Sequence, residues 1–201
     1  TNRGKQGITV DFKDPERLTY LKELISNADV LIENFKVGGL KKFGLDYATL
    51  APDNPKLVYC SVTGFGQDGP RAQKAGYDFM IQGMTGIMDI TGEPEGMPQK
   101  VGVAFADVFT GLYGVIGIQA ALAQRARTGK GQHIDMALFD CMLAAQANQN
   151  LNYLTTGNSP QRMGNAQPRI VPHQVTPVGH GHSIIACGNN RQIHHWAQPH
   201  D

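Results

Sequence analysis

The sequence predicts an α/β fold: a parallel, Rossmann-like sheet with helices on both faces, and a smaller region beyond residue 157. Three observations predict it. β-Prone runs alternate with helical stretches at the spacing of βαβ units. A polar, glycine-rich loop follows the third such run, where ligands sit in open α/β sheets. The composition is 41% apolar and 17% charged over 201 residues, with 24 Gly and 11 Pro. That suits a globular domain rich in loops.

The elements follow in order. "GITVDF" (Gly7 to Phe12) is a predicted first strand. A helix follows in "DPERLTYLKELISNADV", with Asp14 as N-cap, Pro15 at the first helical position and Glu16 at the positive helix end. Leu18, Leu21, Leu24 and Ile25 form its apolar face. "DVLIENF" (Asp29 to Phe35) is a second strand, apolar enough to be buried, and "DYATLAP" a short helical piece. "KLVYCSVTGF" (Lys56 to Phe65) is a third strand, leading into the loop "GQDGPRAQKAGYD". "DFMIQGMTGIMDI" is helical and "TGEPEGMPQK" is turn-rich. A long buried helix then stops at Gly129, a C-cap glycine. "HIDMAL" is a further strand, and "FDCMLAAQANQNLNYLTTG" a second long helix ending at Gly157. Pro and Gly density then rises, and "HSIIACGN" (His182 to Asn189) opens another module. The expected domains are 1–157, α/β and incomplete at its N-terminus, and 158–201, a linker and the truncated start of the smaller domain.

Charge and cysteine usage narrow the function classes. Net charge is +1, and no run of Lys or Arg exceeds two. Neither nucleic acid nor a membrane surface is an expected partner. Cys60, Cys141 and Cys187 lie far apart without a CxxC, the pattern of free thiols in a reducing cytoplasm or, in a eukaryote, a mitochondrial matrix. The start "TNRGKQGITVDFKDPE" has no signal-peptide core.

One residue stands out. Asp107 is the sole carboxylate in "VGVAFADVFTGLYGVIGIQAALAQ", a run bracketed by Lys100 and Arg125. An uncompensated carboxylate among apolar residues costs several kcal/mol. At helical spacing Ala104, Gly111, Gly114 and Ile118 share its face, and the glycines leave space for a ligand. Two readings stay open: Asp107 caps a helix that starts at Val108, or it is a nucleophile or base at a cleft floor. "SVTGFGQDGP" lacks both GxxxxGK[ST] and GxGxxG, which weighs against a nucleotide-dependent oxidoreductase. Lys41, Lys42, Arg71 and Lys74 are solvated charges or phosphate contacts. His173, His180, His182, His194, His195 and His200 crowd the end of the chain without zinc spacing, and no metal is expected. A GxSxG elbow is absent as well.

Taken together, "NRGKQGITVDFKDPE", "ADVLIENFKVGGLKKFGL", "VYCSVTGFGQDGP", "AGYDFMIQGMTGIMDITGEP", "FADVFTGLYG" and "NYLTTGNSPQRMGNAQPRIVP" resemble the class III (CaiB/BaiF-type) CoA-transferases. That family includes formyl-CoA transferases and the related α-methylacyl-CoA racemases. The resemblance implies that Asp107 is the catalytic nucleophile. It implies transfer of coenzyme A from an acyl-CoA to a small carboxylic acid, through an aspartyl anhydride and an aspartyl-CoA thioester, without a metal. CoA contacts would fall on Val10, Asp11, Phe12 and Lys13, on Asn34, Phe35 and Lys36, on Lys42, and on Ala75, Gly76, Tyr77 and Asp78. It also implies an interlaced homodimer. Related racemases resemble "GHD" where this chain has "GYD", and a tyrosine pKa near 10 suits their proton exchange poorly. The alternatives are a racemase-like acid/base enzyme or an inert CoA-binding fragment.

Overall fold

A computed structural model describes residues 2–167 and 170–198. They form two compact units. The first comprises residues up to Ile81 together with Ala104–Ala145, and the second Gln82–Val103 with the residues from Gln146 onward. The boundary expected at residue 158 follows Pro and Gly density, whereas these units follow packing.

In the first unit, α1 (Pro15–Ser26) starts where its sequence dictates. Asp14 accepts hydrogen bonds from Glu16 N and Arg17 N, and Pro15 opens the helix. β1 (Val30–Glu33) leads through a single 3-10 turn (Lys41–Phe43) and α2 (Tyr47–Leu50) to β2 (Val58–Thr63). α4 (Phe105–Thr128), β3 (His133–Ala137) and α5 (Leu138–Ala145) complete the unit, and α3 (Asp78–Thr85) begins within it. The strands form a parallel sheet in the order β1-β2-β3. Its register pairs Val30 with Val58 and Tyr59 with His133.

β2 is the central strand and is buried almost throughout. Its side chains alternate between two cores, as the two-residue strand period requires. Tyr59 joins Ile25, Leu40, Leu45, Leu50 and Leu57 on the side covered by α1 and α2. Cys60 joins Met136 and Cys141, with Val62, Ile118 and Ile134 packed against them, on the side covered by α4 and α5. The α/β reading with helices on both faces is what the structure has, and seven α-helices lie among the described residues.

Several local expectations differ from the structure. Residues 7–12 form no strand. β-Propensity expresses fit to a half-buried pleated surface, and Ile8 here is 58% exposed with no ladder beside it. Asp11 instead closes a turn ahead of α1, accepting from Lys13 N through Oδ1 and from Asp14 N through its carbonyl. β1 is a half-exposed edge strand, with Ile32 at 61% exposure. The long helix α4 ends on Gly129 in the left-handed conformation, as expected. It is buried along one face only, through Ala106, Thr110, Gly114 and Ala121. By length and composition alone it is apolar enough to cross a membrane.

The helix expected from Phe139 to Gly157 is two helices. α5 stops at Ala145, and α6 (Asn148–Thr156) starts after Ala147, whose φ of 42° interrupts the ladder. Gln146, buried, donates from Nε2 to Thr85 O at 2.7 Å. In the second unit Arg162 donates to Asp89 O and Oδ1 at 2.8 and 2.9 Å. β4 (His173–Val178) and β5 (Gly181–Ala186) form an antiparallel hairpin, followed by α7 (Asn190–Trp196) capped by Asn189.

Candidate active site

The first turn of α4 decides what Asp107 can do. The helix starts at Phe105, with Ala104 as an N-cap that makes no side-chain bond. Asp107 is therefore the third helical residue, and the cap reading of it fails. The cap comes from elsewhere: Asp78, the first residue of α3, accepts a hydrogen bond from Ala106 N at 2.8 Å through Oδ1. One carboxylate takes up one free N–H of the helix end, and the next, Asp107, lines a cleft.

Asp78 reaches that position because two loops cross closely. A Cβ on Gly76 would lie 2.5 Å from Gly64 Cα. Only glycine at both positions lets the loop after β2 and the "AGYD" segment touch backbone to backbone. The loop after β2 is pinned in turn: Gly66 N donates to Thr63 Oγ1 at 3.0 Å, and Gln67 N donates to Asp135 Oδ2 at 2.7 Å.

The cleft over Asp107 has a volume of about 500 Å³. Asn34, Gly76, Tyr77 and Asp78 line it, as do Thr110, Gly111 and Gly114. Asn34 is held across the sheet by donating from Nδ2 to Val62 O at 2.7 Å. An adjoining polar cleft of about 170 Å³ shares Asn34, Gly76 and Tyr77, and adds Phe35, Lys36, Lys74 and Ala75. Asp107 thus shares a cleft with Asn34, Gly76, Tyr77 and Asp78, and Phe35, Lys36 and Ala75 line the adjoining one.

Of the other expected contacts, Phe12 is the one that lies against Phe35. Phe12 packs against it with ring centroids 6.0 Å apart, and against Phe43 at 5.1 Å. Lys42 Nζ lies 4.8 Å over the Phe43 ring. Lys13 is exposed beside Phe12, and the Asp11 carboxylate is occupied in its own turn. Val10 lies apart from both clefts, with Ile8, Arg17 and Tyr20.

Two effects raise the Asp107 pKa above the usual carboxylate value: first partial burial against the cleft wall, then the negative charge of Asp78. The positive end of α4 opposes them by favouring the ionised form. Cys60 also lines the cleft, and burial pushes its thiol pKa up. Sequence reasoning missed Cys60, Ile32 and Leu138 as cleft residues. The alternation of β2 marks Cys60 and Val62 as one face, but which helix covers that face is a tertiary fact.

With the geometry in hand, the class of protein is plain. The chain matches CoA-transferase family III over residues 1–199. It belongs to that family. It is 57% identical over 193 residues to the succinate–glutarate CoA-transferase of Agrobacterium fabrum, covering 96% of this chain and 48% of that protein. An acetyl-CoA:oxalate CoA-transferase of Acetobacter aceti is 41% identical, over 94% of this chain and 49% of its own. A crystal structure of a CaiB/BaiF family protein from Brucella suis superposes with a TM-score of 0.87 at 64% identity, over 94% of this chain and 50% of that one. The chain spans about half the length of the relatives it matches.

Proposed function

We propose that the intact protein moves coenzyme A from a short acyl-CoA to a dicarboxylic acid, with Asp107 as the nucleophile. The observation that carries this reading is Asp107 on the wall of a cleft whose neighbour bears Lys36 and Lys74. The lysines suit phosphates, and the relatives named above act on succinate, glutarate and oxalate.

The Asp107 carboxylate attacks the thioester carbonyl, forming a C–O bond and expelling CoA thiolate, which leaves a mixed anhydride. The thiolate attacks the aspartyl carbonyl and releases the donor acid, leaving an aspartyl-CoA thioester. The incoming carboxylate attacks that thioester, and the freed thiolate then takes the new acyl group. Asp107 ends as the carboxylate it began as. A carboxylate partly screened from water is a better nucleophile than a fully hydrated one, provided it stays ionised.

The racemase alternative needs an acid/base partner where Tyr77 stands, and a phenol suits that role poorly. The interlaced homodimer belongs to the same proposal, supported by the exposed apolar residues Leu112, Val115 and Ile116 on α4. Mass spectrometry after incubation with a panel of acyl-CoAs and free acids tests the activity. CoA should appear on the acceptor acid, and Asp107→Ala should abolish the exchange. Thioester loss by hydrolysis alone, or exchange that survives Asp107→Ala, contradicts it.

A further inference from the structure

The cleft over Asp107 owes its room to two glycines. Gly111 and Gly114 line it one and two helical turns beyond Asp107, at rises of about 6 Å and about 10 Å. A Cβ at either position would meet no atom within 4 Å. Gly117, on the same helix, behaves differently: a Cβ there would lie 3.4 Å from Ile134 Cγ2 of β3. A Cβ at Gly117 would therefore touch β3 in ordinary contact, while at the other two it would enter open volume. Glycine inside a helix is less favourable than alanine, so helix stability does not explain them.

The chemistry of the walls says which part of a thioester fits there. The apolar lining of the cleft comes from Val115, Ile118 and Leu138, with Ile32, Cys60 and Val62. No Lys, Arg or His lines it among the described residues. In the transferase reading, Lys36 and Lys74 of the adjoining cleft are the cations offered to the phosphates of CoA. The acyl group is then left to the apolar walls.

We infer that Gly114 is a specificity-determining residue: it sets the length of acyl group that the cleft admits beside Asp107, while Gly111 leaves space for the thioester itself. The inference rests on the transferase reading for the identity of the ligand. Its test is equilibrium binding, which needs no turnover.

Non-cleavable thioether analogues of acetyl-CoA and glutaryl-CoA, which cannot acylate Asp107, are titrated into the intact wild-type protein and into Gly114→Ala, Gly114→Val and Gly117→Ala. The two Gly114 substitutions should weaken the glutaryl analogue at least about tenfold more than the acetyl analogue, the scale of discrimination that small apolar groups produce. Gly117→Ala should keep the wild-type ratio of affinities. Gly114→Ala should also hold or raise the thermal midpoint, because its Cβ enters open space. Equal weakening of both ligands overturns the inference, as does a lowered midpoint in Gly114→Ala or a wild type that binds neither ligand. A wild type that shows the expected ratios but transfers no CoA contradicts the proposed function and leaves this inference standing.

Discussion

At Asp107 burial and the Asp78 charge act against the positive end of α4, and the net direction of the shift makes testable statements about pH. Partial burial and the Asp78 charge raise its pKa in the folded protein, so folding favours the protonated form. That contribution is present in full below the unfolded pKa and is lost as pH rises through the folded one. At neutral pH the ionised carboxylate therefore costs stability. Asp107→Asn should raise the melting temperature at pH 7, with the gain vanishing near pH 3, while transfer falls by roughly a thousandfold or more. Activity needs the ionised form, so the wild-type rate should fall with acid at a higher pH than for an ordinary carboxylate. Asp78→Asn keeps an oxygen for Ala106 N but removes the charge. Its acid limb should move to lower pH in a pH–rate profile. Asp78→Ala loses the cap as well and should cost about 1 kcal/mol in urea unfolding. Asp107 was legible in the sequence because a lone charge in an apolar run demands a cause. Asp78's capping of α4 was not, since the bond to Ala106 spans 28 residues.

At the scale of elements, the site depends on how loops and helix ends are pinned to a small sheet. Gly76→Ala places a Cβ against Gly64 Cα, which is backbone and cannot swing aside, and 3.3 Å from Ile81 Cδ1. It should cost about 1–3 kcal/mol, the range for overpacking, read as a lower urea midpoint. It should also weaken acyl-CoA binding, because Tyr77 and Asp78 follow directly. Local rules were enough wherever an element carries its own signals. Asp14 and Pro15 start α1, Gly129 ends α4, and the apolar run of β2 becomes the central strand. They fell short where a partner decides. "GITVDF" has strand composition but no neighbouring strand to pair with among the described residues. The run from Phe139 to Gly157 has helical composition throughout, yet Ala147 breaks it, beside a buried Gln146 that donates to Thr85.

At the scale of the whole molecule, the outer face of α4 leaves Leu112 and Ile116 at 55% and 62% exposure. Large apolar residues grouped on one helix face mark a surface that associates. In the proposed homodimer the paired substitution Leu112→Glu and Ile116→Glu should shift the sedimenting species of the intact protein from dimer to monomer. An unchanged dimer would remove α4 from that interface. The nucleophile itself can be trapped directly. The intact protein is mixed with acyl-CoA, quenched with hydroxylamine, digested and analysed by mass spectrometry. A hydroxamate should form on the peptide that contains Asp107, dependent on acyl-CoA and absent from Asp107→Ala. An unmodified Asp107 peptide under conditions where the protein is exchanging CoA would contradict it.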